Sequence, residues 1–170
     1  MFNVVITLFF LTSLYASGFI KKPTDAVAQH FPNAKISKKS VLLTKKEFAN
    51  IVTLSKIKPK SKIFTYYLIE ASNQKQHAVQ FTTHVRSKNM TALVFIDEKG
   101  VVGDIELLAF YEPPEYQPPQ KWLGTFKDKT LAEPIMPRRD IPVISGATLS
   151  ANSMSRSVRV ALAFWKTKLQ

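Results

Sequence analysis

Two apolar-rich runs, Met90 to Asp97 and Val101 to Tyr111, are separated only by Glu98-Lys99-Gly100. So short a connection forces the runs to lie antiparallel, and glycine supplies the positive φ that such turns need. A hairpin is therefore the fixed point of the fold, and the remaining segments are read against it. Ile63 to Ala71 is rich in β-branched and aromatic residues and reads as a strand. Ser72 to Gln76 reads as a polar turn, and His77 to Val85 alternates as a further strand. Ala34 to Leu43 sets Ile36, Val41 and Leu42 among lysines, as in a strand with one exposed face.

Helical patterns surround these strands. Pro23 to Phe31 predicts a short helix capped by Thr24 or Asp25. Thr44-Lys45-Lys46-Glu47 is a capping box before Phe48, Ile51 and Val52, which predicts a second helix to about Lys56. Gln120 to Phe126 places Trp122, Leu123 and Phe126 on one face. Ala151 to Lys168 places Met154, Val158, Ala161 and Trp165 at helical spacing. Glu112 to Pro119 is too proline-rich for a central strand or helix, and Leu131 to Asp140 is a second proline-containing loop. The order implies an α+β fold with a mostly antiparallel sheet and packed helices.

At 170 residues, 45% hydrophobic and 21% charged, the chain can bury a core and is not a disordered polymer. It contains no cysteine, which excludes disulfides, thiolate metal sites and cysteine-linked clusters. Phe2 to Ile20 is apolar or small and uncharged, with Ala16-Ser17-Gly18 as a small-residue cleavage site. It reads as an export signal over residues 1–18, or as a retained N-terminal anchor, followed by one domain over residues 19–170. Export places the protein in the periplasm or on the outer face of the cytoplasmic membrane. The net charge is +12, with lysine clusters at 38–39, 45–46 and 56–62. For an exported chain that charge suits an anionic membrane surface or an acidic redox partner rather than nucleic acid.

The stretch with most chemical content is Ser145-Gly146-Ala147-Thr148-Leu149-Ser150, between the extended run Ile141 to Ile144 and the last helix. A glycine-containing turn entering a helix brings free N–H groups and the positive end of the helix dipole to one point, which suits a phosphate. The same residues also serve as ordinary helix caps. No metal site is expected. His77 and His84 are seven apart, so on one strand they face opposite ways and stand too far apart to share an ion.

Ser-Gly-Ala-Thr-Leu-Ser, followed by a helix bearing Arg156 and Arg159, resembles the FMN-binding domain family. That family includes flavin-carrying subunits of the sodium-pumping NADH:quinone oxidoreductase and of the Rnf complex, and small stand-alone exported flavoproteins. Trp122 to Lys129 is a second, weaker match. The resemblance implies an FMN-carrying electron-transfer protein. A flavin transferase would join FMN to Thr148 by a phosphoester, with a membrane-bound or periplasmic redox partner. Ser145, Gly146, Ala147, Leu149 and Ser150 would surround the phosphate. Tyr111, Tyr116 and Trp122 are candidates for the flavin ring, and Glu112 matches an acidic residue seen after the last hairpin strand. Pro142 stands where many members carry an acid. Two other readings remain open: a flavin-dependent reductase with a small-molecule acceptor, and an exported binding module without flavin.

Overall fold

The computed structural model describes residues 18–71 and 74–170. The expected export segment therefore lies outside the described residues except for Gly18. Five strands, β1 (Lys35–Leu42), β2 (Ile63–Ala71), β3 (Gln74–His84), β4 (Asn89–Ile96) and β5 (Val102–Phe110), form one sheet in the order β1-β2-β3-β4-β5. Every neighbouring pair is antiparallel. The helices are α1 (Pro23–His30), α2 (Lys45–Ser55), α3 (Gln120–Leu123) and α4 (Thr148–Lys168), and a 3-10 turn at Gly124–Phe126 extends α3. The fold is α+β, as the order of patterns implies.

Period-two alternation gives the sheet two buried faces. Phe64, Tyr66, Val79, Met90, Ala92 and Val94 pack with the apolar stripe of α4 and with Ile51 of α2. Tyr67, Ile69, Ala78, Leu93 and Phe95 pack on Ala26 and Val27 of α1. Phe64 and Phe164 stack with centroids 4.6 Å apart, fixing α4 across β2. α2 runs antiparallel to α4. Its start meets the end of α4 through the Glu47–Lys168 ion pair and the Asn50–Thr167 hydrogen bond. The capping box forms as expected, with Glu47 N–H donating to Thr44 Oγ1 and Thr44 N–H donating to Glu47 Oε2.

Both sheet edges are protected. β1 exposes Lys38 and Lys39, which disfavour pairing with another chain. β5 is covered by the segment from Gly18 to Lys21: Phe110 N–H donates to Gly18 O and Ile20 N–H to Leu108 O, each at 2.8 Å. Lys21 Nζ lies 2.9 Å from Glu106 Oε2, and Glu106 Oε1 meets His30 Nε2 at 3.0 Å. Asp104 Oδ2 is 3.8 Å from His30 Nε2, so a histidine and two carboxylates converge here. Histidine spacing could not show this, because both carboxylates come from β5. Lys21 offsets the charge of Glu106, and its Nζ also donates to Gln29 Oε1 of α1 at 3.2 Å, tying the edge segment to that helix. Among the described residues, no helix is long and apolar enough to cross a membrane.

Three local expectations need correction. The N-cap position of α1 falls on Lys22, which offers no side-chain cap, and not on Thr24 or Asp25, because Pro23 enters the first turn with its φ already set. The β2–β3 turn is shorter than expected, since Gln74, Lys75 and Gln76 pair with Ala71, Glu70 and Ile69. These polar residues lengthen the ladder because their backbone groups gain partners there. Ile141 to Ile144 is not a sheet strand. Ile141 makes one isolated bridge to Pro137, as Pro142 removes the donor a ladder would need.

The β4–β5 turn shows why Gly100 is glycine. Its φ is +82°, and a Cβ there would stand 2.5 Å from Cζ3 of the buried Trp165. Gly100→Ala is expected to cost about 2–3 kcal/mol from left-handed strain plus overpacking. Thermal unfolding checks this, and a change below about 0.5 kcal/mol would contradict the packing described.

Candidate functional site

The motif folds as a tight turn feeding directly into α4. Ala147 N–H donates to Ile144 O at 3.1 Å, and Gly146 sits at φ +76°. A positive φ at the third residue of a four-residue turn is the type II arrangement, for which glycine is suited. Nothing lies within 4 Å of where a Cβ on Gly146 would be, so backbone conformation alone selects this residue.

α4 begins at Thr148, three residues earlier than its apolar periodicity indicates. The capping position falls on Ala147, which has no side-chain acceptor to offer. The first helical hydrogen bond is Ala151 N–H to Ala147 O. The N–H groups of Thr148, Leu149 and Ser150 therefore have no partner among the described residues. A plain cap would put a serine or threonine oxygen on one of these donors. Here the hydroxyls of Ser145 and Thr148 are exposed instead. Ser150 is buried, and its Oγ is without a hydrogen-bond partner among the described residues. Leu149 and Val143 are each half exposed on either side of the turn.

Around this turn the fold spends several polar groups on holding backbone. Trp122 is buried edge-on against Phe126, and its Nε1–H donates to Pro142 O at 2.8 Å. Its ring thus anchors the segment entering the motif. Asp140 accepts the N–H groups of Ile135 and Met136 and pairs with Lys129 Nζ at 3.4 Å. Burial raises its pKa, but these donors outweigh burial and hold it below the usual carboxylate range. Arg159 is partly buried and reaches two other chain segments, the end of α2 and the loop at 133–134. Its Nε–H donates to Ser55 O, and Nη1 donates to Glu133 O and Pro134 O, both at 2.7 Å. Arg156, one turn earlier, makes no such bond among the described residues.

Glu112 is buried rather than solvated, at 2% exposure. Its carboxylate accepts the N–H groups of Arg86, Ser87 and Lys88 and the Ser87 hydroxyl. The N–H of Lys88 is the largest of the influences that hold its pKa at about 2, against the opposing effect of burial. Glu112 thereby closes the β3–β4 turn. The adjoining His84 O accepts from Ser153 Oγ of α4 at 3.1 Å, so this turn supports the start of the helix. Tyr111 is exposed and packs against Gly18, while Tyr116 is half-buried in the proline-rich loop. The structure thus brings Ser145 to Ser150 together in one turn, with Trp122 bonded to Pro142 in the segment that enters it. Among the described residues, Glu112 is linked to them through the β3–β4 turn.

Residues 86–163 match the FMN-binding domain. That span is an FMN-binding domain. The matched span opens at the turn that Glu112 holds and includes β4, β5, the anchor at Trp122, the motif and most of α4. Comparison with curated proteins finds no match, and comparison with solved structures finds none. The residues of the α4 N-terminus fit the phosphate of FMN. Three free N–H groups and two exposed hydroxyls face one turn, with an orphaned hydroxyl beneath it.

Trp122→Phe removes the donor to Pro142 and part of the ring. We expect a loss of about 1–2 kcal/mol and faster amide exchange over residues 141–147. Exchange that accelerates evenly across the whole chain would contradict a local anchoring role.

Proposed function

We propose that this protein is an exported flavoprotein that carries electrons, with FMN joined to Thr148 by a phosphoester. The observation carrying this reading is the exposed Thr148 hydroxyl at the first helical position, beside three backbone donors that no side chain caps. An attached phosphate would be stabilised there by charge-assisted hydrogen bonds and by the helix dipole. Thr148 Oγ would hold the FMN phosphate as a phosphoester, formed when a flavin transferase breaks the P–O–P bond of a flavin dinucleotide, the nucleoside monophosphate leaves and the hydroxyl proton passes to solvent. FMN, when bound, supplies the redox chemistry. The chain's own part is to hold the phosphate, to keep the turn rigid through Trp122 and Asp140, and to retain the cofactor outside the cell.

The basic residues suit the remaining expectations. Lys38 and Lys39 on β1, Lys45 and Lys46 at the start of α2, and the lysines of 56–62 offer positive charge to an acidic redox partner or an anionic membrane. Peptide mass spectrometry of the denatured chain tests the attachment, after co-expression with a flavin transferase in an exporting host. Flavin phosphate is expected on the peptide containing Thr148. Flavin that washes out completely on denaturation would contradict it.

A further inference from the structure

A cleft of about 460 Å³ opens between the loop Ile57–Ser61, strands β2 and β3, and one side of α4. Its volume is that of a small-molecule site. Phe64, Val79, Phe81 and Val160 give it an apolar floor, and Lys58, Lys60 and Arg156 stand around it. None of its lining residues is acidic. Lys58, Lys60 and Arg156 take part in no ion pair among the described residues, and all three are exposed. Arg159 makes the contrast clear: one turn along the same helix, its guanidinium is fully engaged by backbone carbonyls. Like charges gathered over a low-dielectric floor repel one another and focus a positive potential into the cleft. An anion there relieves that repulsion, and a flat apolar body covers the floor.

From this we infer a second ligand site in the cleft, for a small organic anion with a flat apolar body, such as an aromatic carboxylate. None of residues 145–150 lines this cleft. Ser153, the cleft residue nearest the start of α4, lies five residues beyond Thr148, about 7.5 Å along the axis. The inference does not rest on covalent attachment of FMN. An arginine offers a planar fork for a carboxylate, and the two lysines add mobile point charges.

Calorimetric titration of the flavin-loaded full chain with 2-naphthoate tests this, with neutral 2-naphthalenemethanol as the comparison. One saturable site is expected, at least tenfold weaker for the neutral compound and weakening as salt is added. The triple variant Lys58→Gln, Lys60→Gln, Arg156→Gln should lose at least tenfold in affinity while keeping its circular dichroism. Arg156→Gln alone should lose several-fold, which keeps the test decisive if the triple variant does not fold. No saturable binding, equal binding of both compounds, or unchanged affinity in the variants would overturn the inference. So would binding seen only with flavin-free Thr148→Ala, since the cleft would then belong to the flavin.

Discussion

Arg159→Ala is expected to destabilise the protein by about 3 kcal/mol and to lower the melting temperature by roughly 6–12 °C. The side chain joins α4 to the end of α2 and to the loop at 133–134 through backbone carbonyls. Ser55 O and Leu54 O belong to the last turn of α2, where the helix dipole is negative, and Glu133 O and Pro134 O belong to the loop leading to the motif. Alanine leaves these carbonyls without their donor and opens space beside α4. Arg159→Lys should recover only part of the loss, because one ammonium cannot reproduce the planar fork. Thermal unfolding followed by circular dichroism measures both. A loss under about 1 kcal/mol for alanine would mean that water replaces the guanidinium at little cost.

The second large effect is predicted at Glu112, and it depends on pH. The folded carboxylate has its pKa lowered from 4.5 to about 2. A depressed pKa adds stability above the unfolded value, and that stability is lost as pH falls through the folded value. The contribution of Glu112 is therefore fully present above about pH 4.5 and disappears on going down toward pH 2. Glu112→Ala strips four donors of their acceptor and should lower the melting temperature at neutral pH by roughly 5 °C or more. Glu112→Gln retains one acceptor oxygen and should fall between the two. The gap between wild type and Glu112→Gln should narrow steadily from pH 5 to pH 2. Glu47, whose pKa is also lowered to about 2 by Lys168 and Thr44, is common to both proteins and cancels in the difference. A gap that stays constant over this range would show that the charge of Glu112 is not what holds the β3–β4 turn.

Elements governed by local chemistry were legible in the sequence. The capping box of α2, the glycine turn between β4 and β5, and the apolar stripe of α4 each lie within a few residues, and each formed as the pattern indicates. The motif Ser145 to Ser150 was legible as a turn entering a helix, although the helix absorbs Thr148 and leaves Ala147 uncapped. What could not be read were bonds between distant segments. Trp122 to Pro142 spans twenty residues, Glu112 to the 86–88 turn about twenty-five, and Arg159 to Ser55 more than one hundred. Nothing in the periodicity tells a tryptophan that packs from one that also anchors a backbone carbonyl. Nor does it separate Arg156, left free at a cleft, from Arg159, enclosed one turn away. Only the packing of α4 between α2, the sheet and the 131–144 loop makes that division.

Covalent attachment of the flavin turns on the hydroxyl of Thr148. Wild type and Thr148→Ala would each be co-expressed with a flavin transferase in an exporting host, denatured and compared by in-gel flavin fluorescence. A fluorescent wild-type band beside a dark, equally abundant Thr148→Ala band is the predicted result. Equal fluorescence in the two bands would place the flavin on another residue, and two dark bands beside a labelled control protein would contradict covalent attachment to this chain.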